Sequence, residues 1–112
     1  MAATRQAHKY AVKYAVIDNA TAGDNSIVAA VDGKKIRVLS YALVAAAAVT
    51  VRFESGAGGT ALTGQMNFAA NGGVSCPFNE GGWFETSAGA ALNLELGGAV
   101  SVDGHLSYIE VL

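Results

Sequence analysis

Four polar residues with the chemistry of a hydrolytic site lie close together near the end of the chain: Ser101, Asp103, His105 and Ser107. Such residues form a nucleophilic site when a serine contacts the histidine and an aspartate orients that histidine. Here the four alternate along one predicted strand. Their side chains therefore share one face of a sheet, whereas a catalytic site needs groups that converge from several elements. We predict that they decorate a strand and that the chain is not an enzyme.

Metal binding and paired-acid catalysis both need side chains that the sequence does not group together. His8, Cys76 and His105 are isolated from one another, and metal ligands normally recur at short, set spacings. The acidic residues occur singly on predicted strands and turns, whereas glycoside hydrolysis needs two carboxyl groups flanking a cleft. We expect no metal, no cofactor and no catalytic residue. Cys76, the single cysteine, is expected to be a small buried side chain.

Phosphate, nucleic-acid and membrane binding are also not indicated. The glycine-rich stretch 56–59 lacks the Gly-Lys-Ser/Thr ending of a phosphate-binding loop. Lys34, Lys35 and Arg37 form only a small basic patch in a chain of net charge −2, so no nucleic-acid partner is expected. The most apolar run, 38–51, is shorter than the roughly 20 residues of a membrane helix. We expect no membrane partner and no small-molecule substrate.

One turn with aromatic residues is the place where the sequence suggests a ligand surface. Trp83 and Phe84 follow the glycine pair 81–82, and Asn79 precedes it. Aromatic rings after such a turn either cover the core or form an exposed anchor for a partner or a sugar. Core packing is the default. Under the second interpretation, Asn79, Trp83 and Phe84 are the candidate partner- or glycan-binding residues.

The composition indicates a single domain with much apolar surface to bury. A chain of 112 residues has a common domain size. It is 52% hydrophobic and only 14% charged, whereas about a quarter of the residues in an average globular domain are charged. Burial of both faces of a sheet, or of subunit interfaces, could absorb this surplus, and we expect both together.

Period-two alternation predicts eight to ten short strands and no helix. Such a pattern is typical of an antiparallel β-sandwich. We favour a jelly roll over an immunoglobulin-like topology. The alternation predicts an early strand over 35–44 with two apolar faces and a half-exposed strand over 49–54 that ends at Glu54. A hairpin is expected at Asp32–Gly33, a bend at Ala45–Ala48 and a bulge at Asp103–Gly104. The other predicted strands are 10–16, 26–31, 61–69 (one or two strands), 74–78, 83–86, 92–96 and 100–111.

Basic and acidic residues are distributed unevenly. The first 52 positions hold all seven basic residues and three acids, a net charge of +4, whereas the last 60 hold six acids and no base, a net charge of −6. Either this polarity guides subunits into register, or the two halves interleave and their charges pair. Residues 1–9 contain Arg5, His8 and Lys9 but no acid. We predict a flexible basic arm over 1–9, for which an ordinary frayed end is the alternative, and one domain over 10–112.

Turn and strand motifs follow one another in a set order through the second half of the chain. They are Leu62-Thr63-Gly64, Asn71-Gly72-Gly73, Gly82-Trp83-Phe84-Glu85-Thr86, Ala91-Leu92-Asn93-Leu94 and the closing strand 102–111. This order resembles small structural proteins of tailed bacteriophages. The resemblance covers about residues 33–111, and no part of it lies in residues 1–13. It implies a jelly-roll-like sandwich that assembles as trimers on a virion, and, for a chain of this length, a capsid decoration (cement) protein.

We therefore expect a homotrimer that is made in the bacterial host cytoplasm, binds the phage major capsid protein on the capsid surface and stabilises the shell. From their charge, we expect Arg5, Lys9 and Lys13 to contact the capsid. The first alternative is a tail-associated, lectin-like receptor-binding module that uses the Asn79, Trp83 and Phe84 turn. The second is an enzyme subunit whose site forms only between chains.

Overall fold

The computed structural model describes residues 10–112, which form ten β-strands and no helix. This confirms the all-β prediction. In chain order the strands are β1 (Lys13–Asn19), β2 (Gly23–Val28), β3 (Lys35–Ala45), β4 (Val49–Ser55), β5 (Thr60–Ala61), β6 (Met66–Phe68), β7 (Gly73–Cys76), β8 (Phe84–Glu85), β9 (Leu92–Leu96) and β10 (Val102–Val111).

The strands form two antiparallel sheets that pack as a sandwich. Sheet A has the order β1-β10-β3-β7, and the short β8 also pairs with β3. Sheet B has the order β2-β9-β4-β5, and β6 also pairs with β4. The predicted sandwich is thus confirmed, and the strand order is consistent with a jelly roll. Consecutive strands alternate between the sheets early in the chain, so most contacts join residues far apart in sequence.

The main core fills the space between the sheets with inward-facing side chains of both. Phe53 is fully buried at its centre, and its ring lies 5.2 Å from that of Tyr41 and 5.0 Å from that of Phe84. Such tilted and edge-to-face ring pairs stabilise a core beyond the area they bury. Burial, followed by a hydrogen bond with Cys76, raises the pKa of Tyr41. Cys76 itself packs against this core but is half-buried rather than fully buried.

A bulge in β3 reverses which residues of that strand face the core. Ser40 lies opposite Ser107 and Val38 lies opposite Tyr108, so Leu39 is left without a partner in the register. The extra residue shifts the period-two alternation by one position. The strict alternation predicted for 35–44 is therefore wrong beyond this point. The residues that β3 contributes to the main core are Ile36, Val38, Tyr41, Leu43 and Ala45.

The displaced side chain of Leu39 belongs to a second, smaller core on the outer side of sheet A. It packs with the buried Ile109 and Val111 of β10, and Tyr10 and Val12 lie against this cluster. The segment that precedes β1 therefore covers apolar surface of the sandwich. The bulge predicted at Asp103–Gly104 is wrong, because the irregularity in the β3–β10 pair lies at Ser107/Tyr108.

One predicted connection differs from the observed one. The turn at Asp32–Gly33 is present, and Gly33 has a φ of 73°, but it joins β2 of sheet B to β3 of sheet A. The predicted hairpin is therefore wrong, because the chain crosses between sheets there. The connection between β1 and β2 is short, residues 20–22, and Asn25 Nδ2 donates hydrogen bonds to Thr21 O and Gly23 O across this tight turn. The bend after Ala45 is confirmed at 46–48.

The basic first half and the acidic second half of the chain contribute neighbouring strands within residues 10–112, so their charges pair. Each ion pair there joins a base from the first 52 positions to an acid from the last 60. The two halves therefore neutralise each other inside one fold, which favours the second of the two interpretations of the charge split. The pairs are Lys13–Glu110, Lys35–Glu85, Arg37–Glu85, Arg52–Glu54 and Arg52–Glu95.

Candidate functional site

Exposed apolar side chains of β1 and β3 lie on either side of His105 of β10 on the outer face of sheet A. Val16 of β1 lies opposite His105 of β10, which lies opposite Ala42 of β3. Tyr14 and Val44 flank this row on the same face. Tyr14 and Val16 are each 78% exposed and Val44 is 54% exposed. We call Tyr14, Val16, Ala42, Val44 and His105 the sheet A patch. Grouped exposed apolar residues of this kind mark interaction surfaces.

Two carboxyl groups form a polar border on one side of the sheet A patch. Asp18 lies opposite Asp103, which in turn lies opposite Val44. A hydrogen bond with Asp103, followed by like-charge repulsion from it, raises the pKa of Asp18. Ser101 donates its hydroxyl to Asp103 Oδ2. The border is therefore acidic and lies directly beside Val44.

The polar residues of β10 do not assemble into a nucleophilic site. Ser107 shares a hydrogen bond with the Ser40 hydroxyl across the sheet, and Ser101 bonds with Asp103. In the described part of the chain, no hydrogen bond joins either serine to His105, which is exposed in the sheet A patch. Asp103, His105 and Ser107 alternate along β10, and Ser101 lies immediately before that strand.

Of the three residues expected to contact a capsid, one lies in the described structure. Lys13 begins β1, and its Nζ lies 3.2 Å from Glu110 Oε1 of β10. This ion pair ties Lys13 to the sandwich next to Tyr14. Arg5 and Lys9, with the rest of the predicted arm, lie outside the described residues.

The turn proposed as a glycan surface uses most of its binding groups internally. Asn79 Oδ1 accepts from Gly81 N–H, and its Nδ2 donates to Gly82 O. Trp83 Nε1 donates to Pro77 O at 2.9 Å, and 45% of this residue remains exposed. Phe84 packs with its ring against Tyr41 and Phe53 in the core. Of the two predicted aromatic residues, Trp83 therefore keeps an accessible ring, and Phe78 next to the turn is also 55% exposed.

Three acidic residues converge on the outer face of sheet B, which the sequence did not predict. Asp24 of β2 lies opposite Glu95 of β9, and Glu95 lies opposite Arg52 of β4. Glu54 follows two positions after Arg52 on β4. One carboxylate oxygen from each of Asp24, Glu54 and Glu95 lies within 4.8 Å of the others. The prediction that the acids occur singly is wrong, because strand pairing brings residues from three distant segments together. We call Asp24, Glu54 and Glu95 the acidic cluster.

Glu54 is the buried member of the acidic cluster. It is 0% exposed, so the prediction of a half-exposed position is wrong. Arg52 Nε donates to Glu54 Oε2 at 2.8 Å, whereas Glu54 Oε1 is buried without a hydrogen-bond partner. Burial raises the pKa of Glu54; the Asp24 carboxyl adds to the rise and Arg52 opposes it. An ionised carboxylate in such a place is costly unless a positive charge or donors compensate it.

The glycine-rich turn 56–59 closes against this cluster. It follows β4 directly, and Gly58 N–H donates to Asp24 Oδ2 at 2.7 Å. Gly56 and Gly58 both have positive φ, 78° and 62°, which side chains other than glycine rarely adopt. The glycine-rich turn 56–59, which the sequence excluded as a phosphate-binding loop, thus binds Asp24 of β2 through its backbone. No sequence signal could have identified this pairing, since 34 positions separate Gly58 from Asp24.

Comparison with known proteins finds no matching protein-family model, no matching curated protein and no matching solved structure. Within residues 10–112 no helix exists that could cross a membrane.

Proposed function

We propose that this chain is a non-enzymatic virion structural protein, a capsid decoration protein that forms a homotrimer and binds the major capsid protein of a tailed phage. The observation that carries the proposal is the sheet A patch. Its exposed Tyr14, Val16 and Val44 form an apolar surface on a rigid sheet. A protein that reinforces a shell needs such association surfaces and no reaction chemistry.

A second copy of the chain is the partner that we propose for the sheet A patch. Lys13, beside Tyr14, is ion-paired with Glu110, and the carboxyl pair Asp18–Asp103 borders the patch on its other side. Burial of apolar area between copies would stabilise an oligomer by roughly 25 cal/mol for each Å² removed from water. The trimeric state itself rests on the resemblance to phage structural proteins, and the capsid contact through Arg5, Lys9 and Lys13 rests on their charge.

The glycan-binding alternative has weaker geometric support. Both polar groups of the Asn79 amide are engaged within its own turn, and Phe84 is packed in the core. Sugar recognition combines an exposed ring with free hydrogen-bonding groups. Trp83 offers the first of these, but its indole N–H is used by Pro77 O.

Oligomeric state in solution tests the role of the sheet A patch. We expect the purified protein to sediment as a trimer and Val16→Lys to sediment as a monomer with unchanged circular dichroism. Leu112→Lys is the matched control, because Leu112 is 80% exposed and lies outside the patch; it should remain trimeric. A monomeric wild-type protein, or a trimeric Val16→Lys variant, would refute self-association through this face.

The location on the particle tests the capsid role separately. We expect mass spectrometry of gradient-separated heads and tails to find the protein in the head fraction. A protein lacking residues 1–9 should remain a trimer but fail to bind expanded heads. Truncation at residue 9 is preferable to a longer one, because Tyr10 and Val12 belong to the second core. Recovery with the tails would favour the receptor-binding alternative, and full head occupancy by the truncated protein would refute the arm.

A further inference from the structure

We propose that the acidic cluster is a Ca²⁺ site, formed by Asp24, Glu54 and Glu95 on the outer face of sheet B. These residues come from β2, β4 and β9, so the site exists only in the folded sandwich. It lies on the sheet opposite to the sheet A patch. Its test therefore does not depend on self-association or on a place in a virion.

The spacing of the oxygens suits a calcium ion. Three atoms that all lie within 4.8 Å of one another fit inside a circle of radius at most about 2.8 Å, and Ca–O distances are about 2.3–2.6 Å. A shared centre therefore lies near the Ca–O bonding distance from all three oxygens. Mg²⁺ is a poorer fit, because it needs near-ideal octahedral geometry at about 2.0–2.1 Å. The set contains no His or Cys, the ligands typical of zinc sites.

The independent observation that points to a ligand is the unpartnered oxygen of Glu54. This residue is fully buried, and its Oε1 has no hydrogen-bond partner, although the carboxyl group lies among two other carboxylates. Buried polar atoms are nearly always satisfied, and a bound ion is one of the established explanations for an exception. A cation at the centre of the cluster supplies the missing interaction.

The charge balance also favours a divalent cation. Arg52 is the one base that contacts the cluster within residues 10–112, with Nε 2.8 Å from Glu95 Oε1 and Nη2 2.7 Å from Glu54 Oε2. With every group ionised, the three carboxylates and this guanidinium carry a net charge of −2. One Ca²⁺ ion neutralises that charge. Asp24 is exposed, so water has access on its side and can complete the six to eight ligands that Ca²⁺ takes.

Direct binding is measured by titrating CaCl₂ into chelator-treated protein at pH 7. We expect saturable one-site binding by isothermal titration calorimetry, with a dissociation constant in the range of about 10⁻⁴–10⁻³ M that is typical of extracellular calcium modules. The Gly58 amide resonance should shift with the same midpoint, because Gly58 N–H donates to Asp24. This local signal distinguishes the acidic cluster from calcium bound elsewhere on the surface.

Two isosteric variants and one control assign the ligands. Glu54→Gln and Asp24→Asn remove one charge each, and the amide introduced by Asp24→Asn keeps an oxygen that accepts from Gly58. Each should weaken calcium binding at least about tenfold while the fold, followed by NMR, is retained. Glu85→Gln is the matched control, since Glu85 is an ion-paired acid on sheet A outside the cluster, and it should bind calcium like the wild type.

Three results would each overturn the proposal. The first is the absence of heat and of a Gly58 shift up to about 10 mM CaCl₂, well above that affinity range. The second is unchanged binding in both Glu54→Gln and Asp24→Asn. The third is a Glu54 carboxyl that is protonated at pH 7 and does not respond to calcium, because a shared proton would then occupy the cluster.

Discussion

Asp18 lies directly opposite Asp103 in the β1–β10 pair, so two carboxyl groups face each other at the border of the sheet A patch. The hydrogen bond between them, and then their repulsion, raises the pKa of Asp18 above its ordinary value of 3.8. The folded protein consequently holds this proton more tightly than the unfolded chain does. The stabilising effect is fully present below the unfolded pKa and is lost as pH rises through the raised folded value.

Replacement of Asp18 by asparagine should remove this pH dependence. The introduced amide donates to Asp103 at every pH, so we expect Asp18→Asn to be more stable than the wild type at pH 7 and to lose that advantage near pH 3. Urea unfolding between pH 3 and pH 7 measures the difference. Asp32→Asn, at a turn between the sheets, should follow the wild-type profile. Parallel profiles of Asp18→Asn and wild type would contradict the pairing.

Truncation of the N-terminus should have a sharp boundary after residue 9. Removal of residues 1–9 leaves the second core covered, so we expect a change in unfolding free energy within about 0.5 kcal/mol. Removal of residues 1–12 also strips Tyr10 and Val12 from Leu39, Ile109 and Val111. Exposure of that apolar area should cost about 2 kcal/mol. Chemical denaturation of both proteins checks this, and equal stabilities would show that the segment 10–12 contributes nothing.

Gly104 should tolerate no side chain, because two strands approach closely there. A Cβ at this position would lie 1.8 Å from the backbone oxygen of Ala42. Strand β10 would have to move away from β3, and we expect Gly104→Ala to lose about 1–3 kcal/mol of stability. Gly98→Ala is the control, since a Cβ there meets nothing within 4 Å. Thermal unfolding of both variants measures the contrast; equal melting temperatures would contradict the close approach.

Prediction from sequence succeeded best for strands whose alternation is uninterrupted. The strand predicted over 92–96 is β9 (Leu92–Leu96), with Leu92, Leu94 and Leu96 in the main core. Alternation reports a local property, the two faces of one strand. The same rule failed in β3, because the bulge at Leu39 exchanges the two faces midway. That bulge depends on pairing with β10, about 70 residues later.

The sequence by itself determined that the described chain is a β-sandwich, since strand patterns and turn residues are local signals. The tertiary structure decided which strands are neighbours, and with them both candidate surfaces. Asp24, Glu54 and Glu95 looked like isolated acids because nothing close to any of them in the chain indicates the β2-β9-β4 order. Likewise, Tyr14, Val44 and His105 became one patch only when β1, β10 and β3 paired. Long-range register depends on the packing of whole sheets, which no short window of residues contains.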